Sequence, residues 1–213
     1  MAKEIFWYLG YGSNLSKQRF LCYVKGEKPT YGTTVAKGCR NKKFFDVSKP
    51  MKIPYKLYFG LPKGRKATQN WGEGGVAFLD RKENTEHTTF CRIWKVTSQQ
   101  FHDVWDQEGP AWYNDLLKLG EVDGLPVFSF TRRKPGFQFE VETSRPPDVV
   151  MMKPSASYMK TIILGLMETY PEMPKRDMLD YLRGREGIQN EYEHTELLEL
   201  YQQVEYDMKE NRE

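Results

Sequence analysis

Two features of the sequence could do chemistry together: the stretch Tyr8-Leu9-Gly10-Tyr11-Gly12-Ser13-Asn14-Leu15 and the carboxylate of Glu108. The stretch lies between an aromatic run of strand composition, Ile5 to Leu9, and a short helical pattern from Ser16 to Val24. Gly10 and Gly12 can take φ > 0 or let a ligand come close to the backbone. A strand that breaks into such a turn ahead of a helix leaves N–H groups unpaired, and these could hold a carboxylate or a forming oxyanion. A ligand-free β-to-α connection has the same signature, so the loop by itself names no substrate. Glu108 stands where a helix should end, beside Gly109, and the partial negative charge of that end disfavours a second one. Partial burial beside Trp105 and Trp112 would raise its pKa, which is what a proton shuttle near neutrality requires. A surface glutamate beside a turn is the alternative that the residue type leaves open.

Other constellations are weak. His87, His102 and His194 sit in no nucleophile motif. His102 should face solvent from its helix. His194-Thr195-Glu196 spells H-x-E, but no P-C-x-x-C follows to complete a zinc deaminase signature. There is no H-E-x-x-H either, so neither a metal nor another cofactor is expected.

Several elements must position the loop and the carboxylate. Strands are expected over Thr33 to Lys37, Ile53 to Gly60, Gly75 to Asp80 and Thr88 to Val96, with a polar Gly-rich loop from Lys63 to Gly75. In the strand ending at Val96, Phe90, Arg92, Trp94 and Val96 would share one face, and Cys91, Ile93 and Lys95 the other. Thr97 and Gln100 stand at capping-box spacing before the stripe Phe101, Val104, Trp105, and Gly109-Pro110 stop that helix. Further strands are expected over Leu125 to Thr131 and Phe137 to Glu142, joined by a turn at Pro135-Gly136. Pro146-Pro147 close the strand-rich region. Ser155 can cap a helix to about Tyr170. Asp177 to Arg183 is a second helix, ended by Gly184, and Asn190 to Asn211 a third, with Leu197, Leu198, Tyr201, Val204 and Met208 on one side. Strands first and helices afterwards make an α+β pattern.

The 213-residue chain is long enough to bury a core, and its 39% hydrophobic and 29% charged composition is that of a folded chain. No apolar run approaches a membrane span, the best being Ile162 to Met167, and the N-terminal run does not read as a signal peptide. Three widely spaced cysteines, Cys22, Cys39 and Cys91, fit reduced thiols in a cytoplasmic protein. The net charge of +3 conceals a division: residues 186–213 carry nine acidic and two basic residues, leaving +10 on residues 1–185. That excess would attract small anionic substrates. A cluster such as Lys63-Gly64-Arg65-Lys66 reads as a solvated loop rather than a nucleic-acid contact.

The Tyr8 to Leu15 stretch resembles the Y-G-S-N-L loop that opens the γ-glutamylcyclotransferase-like proteins. The resemblance continues in order through Gly74-Gly75-Val76-Ala77, Ile93-Trp94-Lys95-Val96 and Asp106-Gln107-Glu108-Gly109 to Pro154-Ser155, Tyr158 and Gly165. It implies an α+β fold: a small mixed β-barrel or curved sheet with flanking helices over residues 1–170. The helical C-terminal extension, residues 171–213, lies beyond the resemblance and is expected to pack on that domain, or to turn the apolar side of its last helix to a partner chain. The resemblance implies Glu108 as catalytic acid/base and a γ-glutamyl site formed by Tyr8, Leu9, Gly10, Tyr11, Gly12, Ser13 and Asn14. A tyrosine that often lines the family's site late in the sheet is here Phe130, after Ser129, so its hydroxyl is missing or comes from elsewhere, as from Tyr113. The implied reaction is cyclisation of a γ-glutamyl amino acid, amine or peptide to 5-oxoproline with release of an amine. Removal of a γ-glutamyl group from a larger metabolite, or ligand binding without turnover, are the competing functions. The expected partner is a small-molecule γ-glutamyl substrate, not nucleic acid or membrane, with a homodimer left open.

Overall fold

A computed structural model describes residues 4–65, 67–68, 70–133, 148–189 and 191–210. In chain order the elements are β1 (Ile5–Gly10), a 3-10 turn (Ser13–Leu15), α1 (Lys17–Lys25), β2 (Ser48–Ile53), β3 (Tyr55–Pro62), β4 (Ala67–Thr68), β5 (Gly72–Glu73), β6 (Val76–Glu83), β7 (Thr89–Thr97) and α2 (Ser98–Glu108). They continue with β8 (Asp115–Val122), β9 (Leu125–Thr131), β10 (Val149–Met151), α3 (Ala156–Thr169), α4 (Lys175–Arg183) and α5 (His194–Glu210).

The strands form a five-stranded sheet in the order β2-β7-β1-β9-β8, a three-stranded sheet β10-β3-β6, and the β4-β5 hairpin. The larger sheet is mixed, because β1 runs parallel to β9 and antiparallel to β7. The α+β class is therefore as expected, with open sheets in place of a closed barrel. Alternation along the strands sends their side chains into two separate cores. Tyr8, Trp94, Val96 and Phe130 join Phe20 and Val24 of α1 and Phe101 and Val104 of α2. On the other side Trp7, Leu9, Cys91, Ile93 and Val127 meet the smaller sheet and α3. Phe90, expected beside Trp94, lies instead edge-on to Tyr170 and Tyr181, with centroids 5.0 and 4.7 Å away. All three cysteines are buried and free.

Several expected boundaries shift. Residues 33–37 form no strand, although the Ala36 amide donates to the Glu27 carbonyl at 2.9 Å. The strands β2, β8 and β10 have no counterpart in the sequence reading. The expected Gly-rich loop contains the β4-β5 hairpin, and the last helix begins at His194 rather than Asn190. The strand over 137–142, the turn at 135–136 and the Pro146-Pro147 boundary lie outside the described residues. No helix among the described residues is long and apolar enough to cross a membrane.

The C-terminal helices pack into the second core. Met178, Leu179 and Leu182 of α4 and Leu197, Tyr201 and Val204 of α5 join the cluster that holds Trp7 and Ile163. Each large side chain fully buried there is worth ~1.5–3 kcal/mol. Truncation after Gly184 removes Ile188, Tyr192, Leu197, Tyr201 and Val204 from that core, and should lower the melting temperature by at least ~10 °C, since 1 kcal/mol is worth ~2–4 °C at this size. An unchanged thermal melt would mean that α5 adds nothing to the fold.

Candidate active site

The site is assembled where β1 ends. After Gly10 the chain turns through Tyr11 and Gly12 into the single 3-10 turn, closed by Leu15 N–H to Gly12 C=O at 3.0 Å and Ser16 N–H to Ser13 C=O at 3.1 Å. Ser16 then caps α1, its hydroxyl accepting from the Arg19 amide. Gly12 has φ −115°, so left-handed backbone is not its reason for being glycine. Space is the reason: a Cβ there would lie 2.8 Å from the Tyr158 hydroxyl and 2.9 Å from the Ala77 Cβ.

Helix α3 fixes the loop from behind. A Cβ on Gly165 would lie 2.4 Å from the Ser16 nitrogen and from the Leu15 Cβ, so the helix touches the loop backbone. One turn on, Glu168 accepts from the Lys17 amide at 2.7 Å and from Arg92 at 2.8 Å, while Arg92 also reaches the Leu15 carbonyl at 3.3 Å. From β7, the Trp94 indole N–H donates to the Asn14 carbonyl at 2.8 Å.

Glu108 comes from the far end of α2. The capping box of Thr97 and Gln100 starts this helix as expected, and Gly109, at φ 83°, lets the chain leave it one residue after Glu108. Asn14 Nδ2 donates to Glu108 Oε1 at 2.6 Å and to the Tyr8 hydroxyl at 2.8 Å. The carboxylate, an acceptor when ionised, identifies Nδ2 as the atom of the amide that faces it. Tyr23, from α1, stands near enough to Glu108 to favour its ionised form. Its hydroxyl in turn accepts from Arg19 Nη2, and the guanidinium lies 4.0 Å from the Tyr23 ring centroid. A continuous chain of polar groups results, in the order Tyr8, Asn14, Glu108, Tyr23, Arg19.

These groups line a cavity of about 880 Å³. Of the residues singled out from sequence, Tyr8, Tyr11, Gly12, Ser13, Asn14, Glu108, Tyr113 and Phe130 line it. Leu9 and Gly10 do not. Leu9 is wholly buried in the second core because strand alternation turns it away from Tyr8, and Gly10 is packed against the Asn14 backbone. Phe130 stacks on Trp105 at 5.4 Å and lies 5.2 Å from Tyr8, so Trp105 faces Phe130 while Trp112 lines the cavity. Tyr113 donates to the Ala77 carbonyl at 3.1 Å. Sequence reasoning missed Arg19, Tyr23 and Trp71, all of them lining residues. Arg19 and Tyr23 stand at i, i+4 on the helix after the loop, a spacing that places both on one face.

Burial dominates the electrostatics. It raises the Glu108 pKa, while the Arg19 charge, the hydrogen bond from Asn14 and the nearby Tyr23 pull the other way without offsetting it. Burial likewise raises Tyr8, Tyr11, Tyr23, Tyr113 and Tyr158, so five phenols remain protonated at neutral pH. Among the described residues no group of three or more His, Cys, Asp or Glu side chains could hold a metal ion.

Two predictions follow from this packing and burial. Alanine is the better helix former by ~1 kcal/mol, but Gly165→Ala should still destabilise, because overpacking costs ~1–3 kcal/mol; a raised melting temperature would contradict the contact. A carboxyl whose folded pKa lies above its unfolded one binds more protons in the native state, so stability is lost as pH rises through the folded value. Thermal melts of Glu108→Gln and wild type should coincide below pH 4.5, the ordinary carboxyl value, and diverge in the variant's favour as pH rises. Parallel profiles would place Glu108 in a water-like environment.

No family model matches the chain. Histone deacetylase 5 of Arabidopsis thaliana is 27% identical over an alignment of 198 residues that covers 79% of this chain and 29% of that protein. The chain thus spans less than a third of that relative, whose name describes a much longer protein. Among solved structures, a γ-glutamyl cyclotransferase superposes with a TM-score of 0.58 at 18% identity, covering 95% of this chain and 99% of its own. An uncharacterised protein from Homo sapiens superposes at 0.55 and 18%, with the same coverage. The chain has the γ-glutamyl cyclotransferase fold.

Proposed function

We propose that the protein is a γ-glutamyl cyclotransferase in which Glu108 moves the proton. The observation that carries this reading is the 2.6 Å hydrogen bond between Asn14 of the Tyr8 to Leu15 loop and Glu108, inside a cavity of that fold. The substrate brings its own nucleophile. Its α-amine attacks the γ-carbonyl carbon, the new C–N bond closes the five-membered lactam, and the bond to the leaving nitrogen breaks. Glu108 takes a proton from the α-ammonium, a second proton leaves the attacking nitrogen as the lactam forms, and both end on the leaving nitrogen, which departs as an ammonium, so the carboxylate is regenerated and no water is consumed. A buried carboxylate with a raised pKa suits both steps. The oxyanion formed at the γ-oxygen would be met by donors of the Gly12-Ser13 loop and by protonated tyrosines. Ring closure makes orientation the main task, and a well-placed intramolecular attack can be worth ~7–11 kcal/mol.

The size of the cavity favours a large leaving group. About 880 Å³ is near the top of the usual ~300–1,000 Å³ range for small-molecule sites, and a γ-glutamyl head fills a minor part of it. The remaining walls come from residues 34–38, Arg65, Trp71 and Trp112.

Release of 5-oxoproline from a panel of γ-glutamyl compounds that differ in the leaving amine is the test. Glu108→Gln keeps the volume and the hydrogen bonds but cannot take the ammonium proton, and should cost ~10²–10⁴-fold in turnover. Glu73, exposed on β5, is the control, and Glu73→Gln should be close to wild type. Wild-type rates in Glu108→Gln on every compound that is turned over would refute the mechanism.

A further inference from the structure

Arg19 is a buried cation with no salt bridge among the described residues. It is 5% exposed and lines the cavity. Among the described residues its guanidinium makes one hydrogen bond, from Nη2 to the neutral phenol of Tyr23, and its Nε is buried with no partner. Aromatic faces supply the rest of its surroundings: Tyr23 at 4.0 Å and Trp71 at 5.3 Å from the guanidinium carbon. Burying a guanidinium costs several kcal/mol unless an anion and further hydrogen bonds compensate it. Two aromatic rings and one phenol do so only in part. Glu108 feels the Arg19 charge but forms no salt bridge with it, and takes its hydrogen bond from Asn14 instead. By contrast Arg40, at the rim of the same cavity, is paired with Asp103 at 2.7 Å.

We propose that Arg19 holds the ligand's carboxylate and so makes a free α-carboxylate, next to the γ-glutamyl bond, the feature the site selects. The proposal rests on the γ-glutamyl reading for the identity of that carboxylate, but only on the Arg19 environment for its existence. The planar fork of an arginine suits a carboxylate better than a point charge does. The placement also serves the chemistry. The α-carboxylate and α-amine share one carbon, and Arg19 is one phenol away from Glu108. A carboxylate docked on Arg19 therefore leaves the amine beside the Glu108 carboxylate. Arg19 thus acts by positioning the amine and takes no proton itself.

The test compares a γ-glutamyl dipeptide with its α-carboxamide counterpart, in wild type, Arg19→Gln and Arg19→Lys. Wild type should prefer the carboxylate by roughly 10- to 150-fold, what a charge-assisted hydrogen bond is worth, chiefly through KM. Arg19→Gln should reduce that preference to within ~3-fold, while the pH profile set by Glu108 keeps its shape and moves to higher pH, because the charge that favoured the ionised carboxylate is gone. Arg19→Lys, which keeps the charge if Arg19→Gln does not fold, should retain the preference with KM raised ~10-fold. Equal discrimination by Arg19→Gln and wild type, or an unchanged KM in Arg19→Lys, overturns the proposal. A second readout needs no turnover. Millimolar glutarate, which carries the carboxylate but cannot cyclise, should raise the melting temperature of wild type and not of Arg19→Gln, and neutral glutaramide should shift neither. An Arg19-dependent glutarate shift without 5-oxoproline from any substrate would remove the cyclotransferase reading and keep the anion site. Turnover with no carboxylate preference would do the reverse, and the absence of any glutarate shift in wild type would remove the anion site whatever the turnover.

Discussion

The site depends on the contact between α3 and the loop after β1. At Gly165 the helix touches loop backbone, where no side chain fits, and one turn later Glu168 and Arg92 tie the helix, the first amide of α1 and the Leu15 carbonyl together. Burial lowers the Arg92 pKa and raises that of Glu168, so on both partners desolvation outweighs the attraction between them. Such a pair adds little to stability compared with an apolar replacement. What it supplies is position: a carboxylate that can accept from both a backbone amide and an arginine fixes the loop at a defined distance from the helix. The 3-10 turn has too few internal hydrogen bonds to hold that geometry alone.

The polar chain through the site is held by apolar packing on its other side. Tyr8 lies in the first core, stacked on Phe20 at 5.5 Å and next to Phe130 at 5.2 Å, and Phe20 is stacked on Trp94 at 4.9 Å. Both ends of this stack reach the loop: Tyr8 through its hydroxyl to Asn14 Nδ2, and Trp94 through its indole N–H to the Asn14 carbonyl. Asn14 is therefore held at its backbone and at its side chain before it meets Glu108. Phenylalanine at 130 fits this arrangement, because the ring at that place packs between Trp105 and Tyr8. Hydroxyls come instead from Tyr8, Tyr11, Tyr23, Tyr113 and Tyr158.

What could be read from the sequence was local in origin. The capping box at Thr97, the Ser155 cap and the alternation that puts Trp94 and Val96 against Cys91 and Ile93 each depend on residues a few places apart, and all three recur in the fold. The strand β2 escaped notice because Pro50 and two lysines argue against a strand; it is an edge strand, where a missing N–H and charged side chains are tolerated. The β8-β9 hairpin was legible but unread: Asp123-Gly124, with both φ values positive, is the type I′ signal between two strands. Residues 33–37 have strand composition but pair with no strand among the described residues, and composition cannot supply one. For the site, the loop and Glu108 were legible through their motifs. Arg19 and Tyr23 were not, since only the turn of α1 toward Glu108 distinguishes them from the other polar residues of a short helix.

The cavity's character follows from how few charges it buries. Along the chain from Tyr8 to Arg19 only Glu108 and Arg19 can be ionised at neutral pH, and a neutral phenol separates them. Three influences lower the Glu108 pKa, yet burial outweighs them. A ligand alters that balance according to its own charges. A carboxylate arriving at Arg19 takes up the field that had favoured ionised Glu108, while an ammonium arriving beside Glu108 restores it. A ligand with both groups on one carbon therefore leaves the carboxylate ionised on arrival and with a raised proton affinity once the ammonium has given up its proton. Burial thus disfavours the empty, ionised site. The same desolvation makes ionised Glu108 unfavourable for folding and raises its affinity for a proton.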